Sequence, residues 1–182
     1  MRSNKPRVRK VRTRAPFLPA REKRLAKEYA QMAIRGLLRA PAYISGVTLT
    51  CAQFLPNTAG GRAWLTREVL SAEIKKFLDR LNRLVFKQGY RRYGKQLRRY
   101  SAIEGGDGSG IHLHAHLMIE QPDPKRISWF EFCKLLRRTW EQSEWAFPDT
   151  YVDPCAQEEA TAFYLSKCGP DAIDLENCYF GP

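Results

Sequence analysis

All three histidines of the 182-residue chain fall in one segment, Ile111-His112-Leu113-His114-Ala115-His116-Leu117-Met118-Ile119-Glu120, at a spacing of two. Side chains two apart in a β-strand leave the same face. Successive histidines are then about 6.6 Å apart at Cα and can converge on one ion, whereas His112 and His116, about 13 Å apart, cannot do so without bending the strand. His114 therefore belongs to either pair, with His112 or His116 as its partner. A lone histidine in a sheet is most often a satisfied polar residue. Three on one face, with no histidine elsewhere in the chain, read as ligands for a divalent metal.

Two imidazoles need an oxygen partner to make a reactive site. Glu104 ends the preceding strand, and the turn Gly105-Gly106-Asp107-Gly108-Ser109-Gly110 folds it back beside the histidines. A His2Glu set leaves positions open for substrate oxygens and water. Hairpin register is not readable from sequence, so a solvated carboxylate at the hairpin end is the alternative. The third feature is Thr161-Ala162-Phe163-Tyr164-Leu165-Ser166-Lys167. On a helix Tyr164 and Lys167 share a side. A free phenol titrates near 10 and is a poor nucleophile, but it can attack phosphorus when a metal polarises the phosphoryl oxygens. Lys167 can favour the phenolate or hold a phosphate. Alone, Tyr-x-x-Lys fits many ordinary amphipathic helices.

The elements that must position these residues follow from periodicity and turn chemistry. Tyr43 to Phe54 alternates as a strand, followed by a loop at Pro56, Asn57, Gly60 and Gly61. Thr66 is the predicted N-cap of a helix from Arg67 to Lys87 that places Val69, Ile74, Phe77, Leu78, Leu81, Leu84 and Val85 on one face. Strands are predicted at Arg99–Glu104 and Ile111–Glu120, and a helix capped by Ser128 runs to Ser143, burying Phe130, Cys133, Leu136 and Trp140. A short strand at Thr150–Asp153 precedes a last helix, Ala156–Cys168, stopped by Gly169-Pro170. The order β α β β α β α predicts an α+β domain, a central antiparallel β-sheet with helices packed on one face. Ahead of it, Met1 to Arg39 carries thirteen Lys or Arg against Glu22 and Glu28. Its first half reads as a disordered basic arm, and Leu25, Tyr29, Met32, Ile34, Leu37 and Leu38 as an amphipathic helix ending near Pro41. The expected division is 1–41 for arm and helix and 42–182 for the domain.

A formal net charge of +12 and a pI near 9.7 favour a polyanionic partner, nucleic acid first. No apolar run approaches the roughly 18 residues that span a bilayer, and Met1 to Arg14 does not read as a secretory signal. The five cysteines are scattered with no C-x-x-C pair, which suggests free thiols in a reducing, cytoplasmic setting. A second basic cluster, Arg91, Arg92, Lys95, Arg98 and Arg99, is interleaved with Tyr90, Tyr93 and Tyr100. Its cations can hold phosphates while the tyrosines stack on unpaired bases or pack in the core.

Taken in order, the strand Gly46-Val47-Thr48-Leu49-Thr50, Glu104 ahead of His-Leu-His-Ala-His, and Tyr164-Leu165-Ser166-Lys167 resemble the three motifs of HUH-type Rep proteins. These initiate rolling-circle replication of small plasmids, bacteriophages and single-stranded DNA viruses. The resemblance covers roughly Tyr43 to Lys167. It implies a ferredoxin-like or RRM-like palm, Glu104 as third ligand of a Mg²⁺ or Mn²⁺ ion, Tyr164 as nucleophile and Lys167 as its helical neighbour. His114 and His116 match the paired metal histidines by the apolar run that follows them; His112 and His114 match by their bulky middle residue. The implied activity is nicking and joining of single-stranded or origin hairpin DNA through a 5′-phosphotyrosine. A bacterial mobile element is the implied source, and host replication proteins are candidate further partners. A related transposase or relaxase would use the same site. The rival of another class is a non-catalytic nucleic-acid binding module. No G-x-x-x-x-G-K-[ST] run is present, so no helicase activity is expected.

The arm can be tested apart from the chemistry. Deleting Met1 to Arg14 removes seven Lys or Arg and no acid. The log–log salt dependence of single-stranded DNA binding should flatten by about 0.7 for each phosphate that the shortened chain no longer neutralises, while cleavage at saturating DNA persists. An unchanged salt slope in filter-binding titrations would show that the arm does not touch DNA.

Overall fold

The computed structural model describes residues 44–58, 60–106, 110–154 and 170–181, together with Arg24, Glu28, Gln31 and Met32, which are helical. Its main sheet has four strands, β1 (Ile44–Leu49), β4 (Arg99–Glu104), β5 (His114–Glu120) and β6 (Tyr151–Pro154), in the order β4-β5-β1-β6 with every pair antiparallel. Helix α1 (Arg67–Phe86) follows β1, and α3 (Trp129–Trp140) joins β5 to β6; a short α2 (Gln88–Tyr93) continues from α1. This is the ferredoxin-like βαββαβ order. The last predicted helix, Ala156–Cys168 with Tyr164 and Lys167, and Cys155 just before it lie outside the described residues.

Both long helices start where local chemistry says they should. The Thr66 side chain accepts from the Val69 N–H. Ser128 makes a full capping box, its hydroxyl taking the Glu131 N–H while Glu131 returns to the Ser128 N–H. Hydrogen bonding to Ser128, side chain and then backbone, holds the Glu131 carboxyl below its ordinary range. Each helix presents one apolar stripe to one sheet face. Leu70, Ile74, Phe77, Leu81, Phe132, Leu136 and Trp140 meet Val47, Leu49, Ile103, Leu117 and Ile119 there, all buried. Phe77 and Trp140 pack edge to face at 5.9 Å. The opposite sheet face buries Ile44, Tyr100, Ala102 and Met118, with Ile173 and Cys178 against them.

Several expectations are corrected. Phe130 is 65% exposed and lies under the Lys134 ammonium, 4.2 Å from its ring centre, while Phe132 is fully buried. At about 100° per residue, Phe130 sits roughly a quarter turn off the stripe made by Phe132, Leu136 and Trp140. Leu84 is likewise exposed. The first strand stops at Leu49 because the chain turns to meet another loop: the Thr50 carbonyl accepts from the Trp140 indole and the Phe147 N–H, and the Ala52 N–H donates to Trp145. The predicted loop contains a small hairpin, β2 (Phe54–Pro56) with β3 (Arg62–Trp64). Asn57 closes it by accepting the Gly61 N–H at 2.7 Å.

The exposed edge of β4 is covered by residues 170–181, through bridges Ala102–Ile173 and Arg99–Tyr179. Asp174 anchors that segment, taking hydrogen bonds from Ser71, Ser101 and Asn177. An unpaired edge would otherwise be a template for association. Cys51, Cys133 and Cys178 are free thiols. Among the described residues no helix is long and apolar enough to cross a membrane.

The two phenylalanines give a direct test of the helix register. Phe132→Ala should lower unfolding stability by about 3–5 kcal/mol, and Phe130→Ala by no more than about 0.5 kcal/mol. Equal shifts in urea midpoints would contradict this register.

Candidate metal centre

Glu104 faces His114 directly across the β4–β5 ladder, and His116 faces Ala102. Residues opposite one another share a sheet face, with Cβ atoms about 4.5–5.5 Å apart, and the diagonal neighbour is still within reach of a long side chain. Because Ala102 is small, the carboxylate and both rings can fill the same volume. The Nε2 atoms of His114 and His116 stand 3.1 Å apart, with the rings edge to face. Glu104 Oε2 is 3.9 Å from one and 3.7 Å from the other. These ligand atoms all lie within 4.8 Å of one another, and Glu104 and His116 are 6% and 7% exposed.

Two contacts decide which nitrogens point inward. His114 Nδ1 is 2.8 Å from the His112 carbonyl oxygen. A carbonyl only accepts, so Nδ1 carries the proton and the lone pair is on Nε2. His116 Nδ1 is 3.0 Å from the Thr48 hydroxyl, which the register places directly opposite on β1. When that hydroxyl accepts, His116 also turns a lone pair inward. Two imidazole lone pairs and a carboxylate oxygen then converge, a donor set that a divalent cation fits. Hydrogen bonds to the outer nitrogen are the usual support of a ligating histidine. Desolvation pushes the thiols of buried Cys51 and half-buried Cys178 to about 12 and about 11, so neither offers a thiolate at neutral pH.

The third histidine is not part of the group. Strand β5 begins at His114, not Ile111, so the parity that would align His112 with the other two does not apply. The Gly106 N–H donates to the Ile111 carbonyl, and the Gln53 amide takes both the N–H and the carbonyl of Leu113, drawing residues 111–113 off the β4 ladder. The His112 ring is exposed; its contribution is the backbone carbonyl that orients His114. Gly105 makes this approach possible. At φ +86° it adopts a conformation that side-chain-bearing residues avoid, and a Cβ there would collide with the His112 carbonyl oxygen. Thr48, Ala102, Gln53 and Gly105 have no signal in the sequence beyond the resemblance of Gly46 to Thr50 to a first motif and the glycine-rich turn.

The basic cluster divides. Arg91, Arg92 and Lys95 are exposed. Arg98 grips Glu120 with Nε and Nη2 at 3.2 and 3.1 Å. Arg99 is 8% exposed and donates to Asn177 O, Leu97 O and Gln96 Oε1; burial draws its pKa below the ordinary arginine value. Arg98 and Arg99 therefore serve the fold, as does Tyr100, whose phenol is pushed up by burial first and by nearby Cys178 and Glu104 second. Comparison of the chain with protein families, with characterised proteins and with solved structures gives no match.

The geometry separates the three histidines by measurement. His114→Ala and His116→Ala should abolish Mn²⁺ binding in calorimetric titrations, while His112→Ala, which keeps its carbonyl, should stay near wild type. Gly105→Ala and Thr48→Val should each weaken it by about 10- to 100-fold, the usual effect of losing a supporting hydrogen bond. Equal losses in all three histidine variants would exclude this ligand set.

Proposed function

We propose that the protein is an HUH-type, single-tyrosine DNA strand transferase that nicks and rejoins single-stranded DNA as an initiator of rolling-circle replication. The observation that carries this reading is the convergence of Glu104 Oε2 with the Nε2 atoms of His114 and His116 on the sheet of a βαββαβ domain. It is supported by the Tyr164-x-x-Lys167 motif downstream and by the excess of 31 Lys and Arg over 19 Asp and Glu. When bound, a divalent ion supplies Lewis-acid polarisation of the phosphoryl oxygens and a template for the strand. Mg²⁺ selects oxygen ligands, so of Mg²⁺ and Mn²⁺ the two imidazoles favour Mn²⁺.

The chain's own residues have defined tasks in this reading. Thr48 and the His112 carbonyl keep the two imidazoles in the ligating tautomer. The Tyr164 oxygen forms a bond to the scissile phosphorus as the bond from phosphorus to the 3′ oxygen breaks. The phenolic proton is lost to solvent, and the released 3′ oxygen takes one up as a free hydroxyl. Lys167 favours the phenolate and pairs with the phosphate. The reverse reaction, attack by a 3′ hydroxyl on the phosphotyrosine, rejoins a strand and frees Tyr164.

Among the described tyrosines, Tyr151 lies on the same sheet face as the metal group, since it pairs with Thr48, which pairs with His116. Its hydroxyl donates to Asp153 at 3.0 Å, and that hydrogen bond followed by the carboxylate's charge raises its pKa, which opposes phenolate formation. With Mn²⁺ and a labelled single-stranded oligonucleotide, Tyr151→Phe should still form a denaturant-resistant protein–DNA adduct. Tyr164→Phe should form none while folding normally. An adduct with the Tyr164 variant would remove Tyr164 as nucleophile; no cleavage by the wild type across a scan of origin hairpins would reject the nuclease reading.

A further inference from the structure

A groove of about 610 Å³ opens beside the metal centre, between the β2–β3 hairpin and residues 111–114. His114 lines it, so one ligand of the metal group is also a wall of the groove. Its other surfaces are unusually apolar for solvent-facing positions. Phe54, Trp64, Ile111 and Phe147 are 41%, 62%, 59% and 51% exposed. Phe54 and Trp64 hold each other edge to face at 5.4 Å, and the Arg62 guanidinium lies 4.3 Å over the Phe54 ring. A cluster of exposed apolar side chains around a concavity, rather than single ones scattered, marks a binding surface, and this volume is that of a small-ligand site.

The groove is also built rather than left over. Asn57 and Gly61 close the hairpin, and the Gln53 amide fastens its base to Leu113 on the facing wall. Both walls are thus tied together while Trp64 stays exposed. Hydrophobic collapse alone gives no reason to fix a tryptophan beside open solvent.

We infer that this groove stacks an unpaired base of single-stranded DNA immediately flanking the phosphate at Glu104, His114 and His116. This rests on the nuclease reading for the identity of the polymer. The occupant follows from chemistry. A base offers a flat apolar face to Trp64 and Phe54, and base–aromatic stacking is tolerant of sequence. Its backbone is anionic, matching Arg62 at the hairpin and a chain of net charge +12. Asp149 also lines the groove; a carboxylate at that position would accept from a base's exocyclic amino group and repel a phosphate, which favours entry of the base over the backbone.

The test is fluorescence anisotropy of a labelled single-stranded oligonucleotide with the full chain in EDTA, so that no cleavage intervenes. Trp64→Ala should weaken binding roughly ten- to a hundredfold, and Trp64→Phe should restore most of it, because Phe keeps an aromatic face. Moving one abasic site along the oligonucleotide should reveal a position where the wild type loses affinity and Trp64→Ala loses no more. Affinity unchanged in Trp64→Ala, additive losses at every abasic position, or no binding of the oligonucleotide by the wild type would each overturn the inference. Failure of the nuclease reading looks different: base-dependent binding with the pattern above but no cleavage when Mn²⁺ is added. Cleavage with normal affinity in Trp64→Ala would instead retain the nuclease and reject the groove.

Discussion

The pairing register of β4 with β5 is the constraint on which the rest of the site depends. Glu104 opposite His114 and Ala102 opposite His116 put three ligand-type side chains on one face with a gap for them to fill. A slip of one residue would send His114 and His116 into the helix-packed core and bring Ala115 and Leu117 to the site face. That slip is resisted from the other side of the sheet, where Leu117, Ile119 and Ile103 pack under α1 and α3. The hydrophobic core therefore does the positioning. Burying a carboxylate with two imidazoles is unfavourable by several kcal/mol unless the group is compensated. A cation bound there would offset part of that penalty, and would then couple metal binding to local stability.

Much of the scaffold is legible in the sequence because the signals are local. Thr66 and Ser128 announce α1 and α3 through hydrogen bonds that span three residues, and β4 occupies the predicted Arg99–Glu104. Which histidines converge is not legible, because the parity argument holds only inside a paired strand. What takes residue 112 out of the ladder is Gln53, a side chain sixty positions from Leu113. Phe130 and Phe132 show a related failure. Both are apolar near the start of one helix, and the stripe that Leu136 and Trp140 turn to the sheet takes in Phe132 and leaves Phe130 outside. Tyr164 and Lys167 rest on the sequence motif alone.

Charge is the feature that composition reads least well. Five cations between residues 91 and 99 look alike in the sequence, yet Arg98 is half of an ion pair and Arg99 is a buried clamp that ties the C-terminal segment to β4 through Asn177. Arginine suits that task because its planar fork serves several carbonyls at once and stays charged even when burial lowers its pKa. The net charge of the chain argues for a polyanionic partner, but only Arg91, Arg92 and Lys95 of that group are exposed to meet one.

The placement of those three residues limits how a strand could run. They precede Arg99, at the opposite end of β4 from Glu104, and five residues of antiparallel strand cover about 17 Å. The aromatic groove lies at the Glu104 end, where His114 is common to groove and metal group. In the proposed reading, cations beyond the Arg99 end of β4 would hold nucleotides some positions away from a phosphate at the metal group rather than that phosphate itself. On the same proposal, local recognition beside such a phosphate would fall to side chains near the ligands, among them the aromatic hairpin and Arg62. Positioning by remote charge and selection by local stacking would then be separable, because the Arg99 and Glu104 ends of β4 stand apart on the sheet.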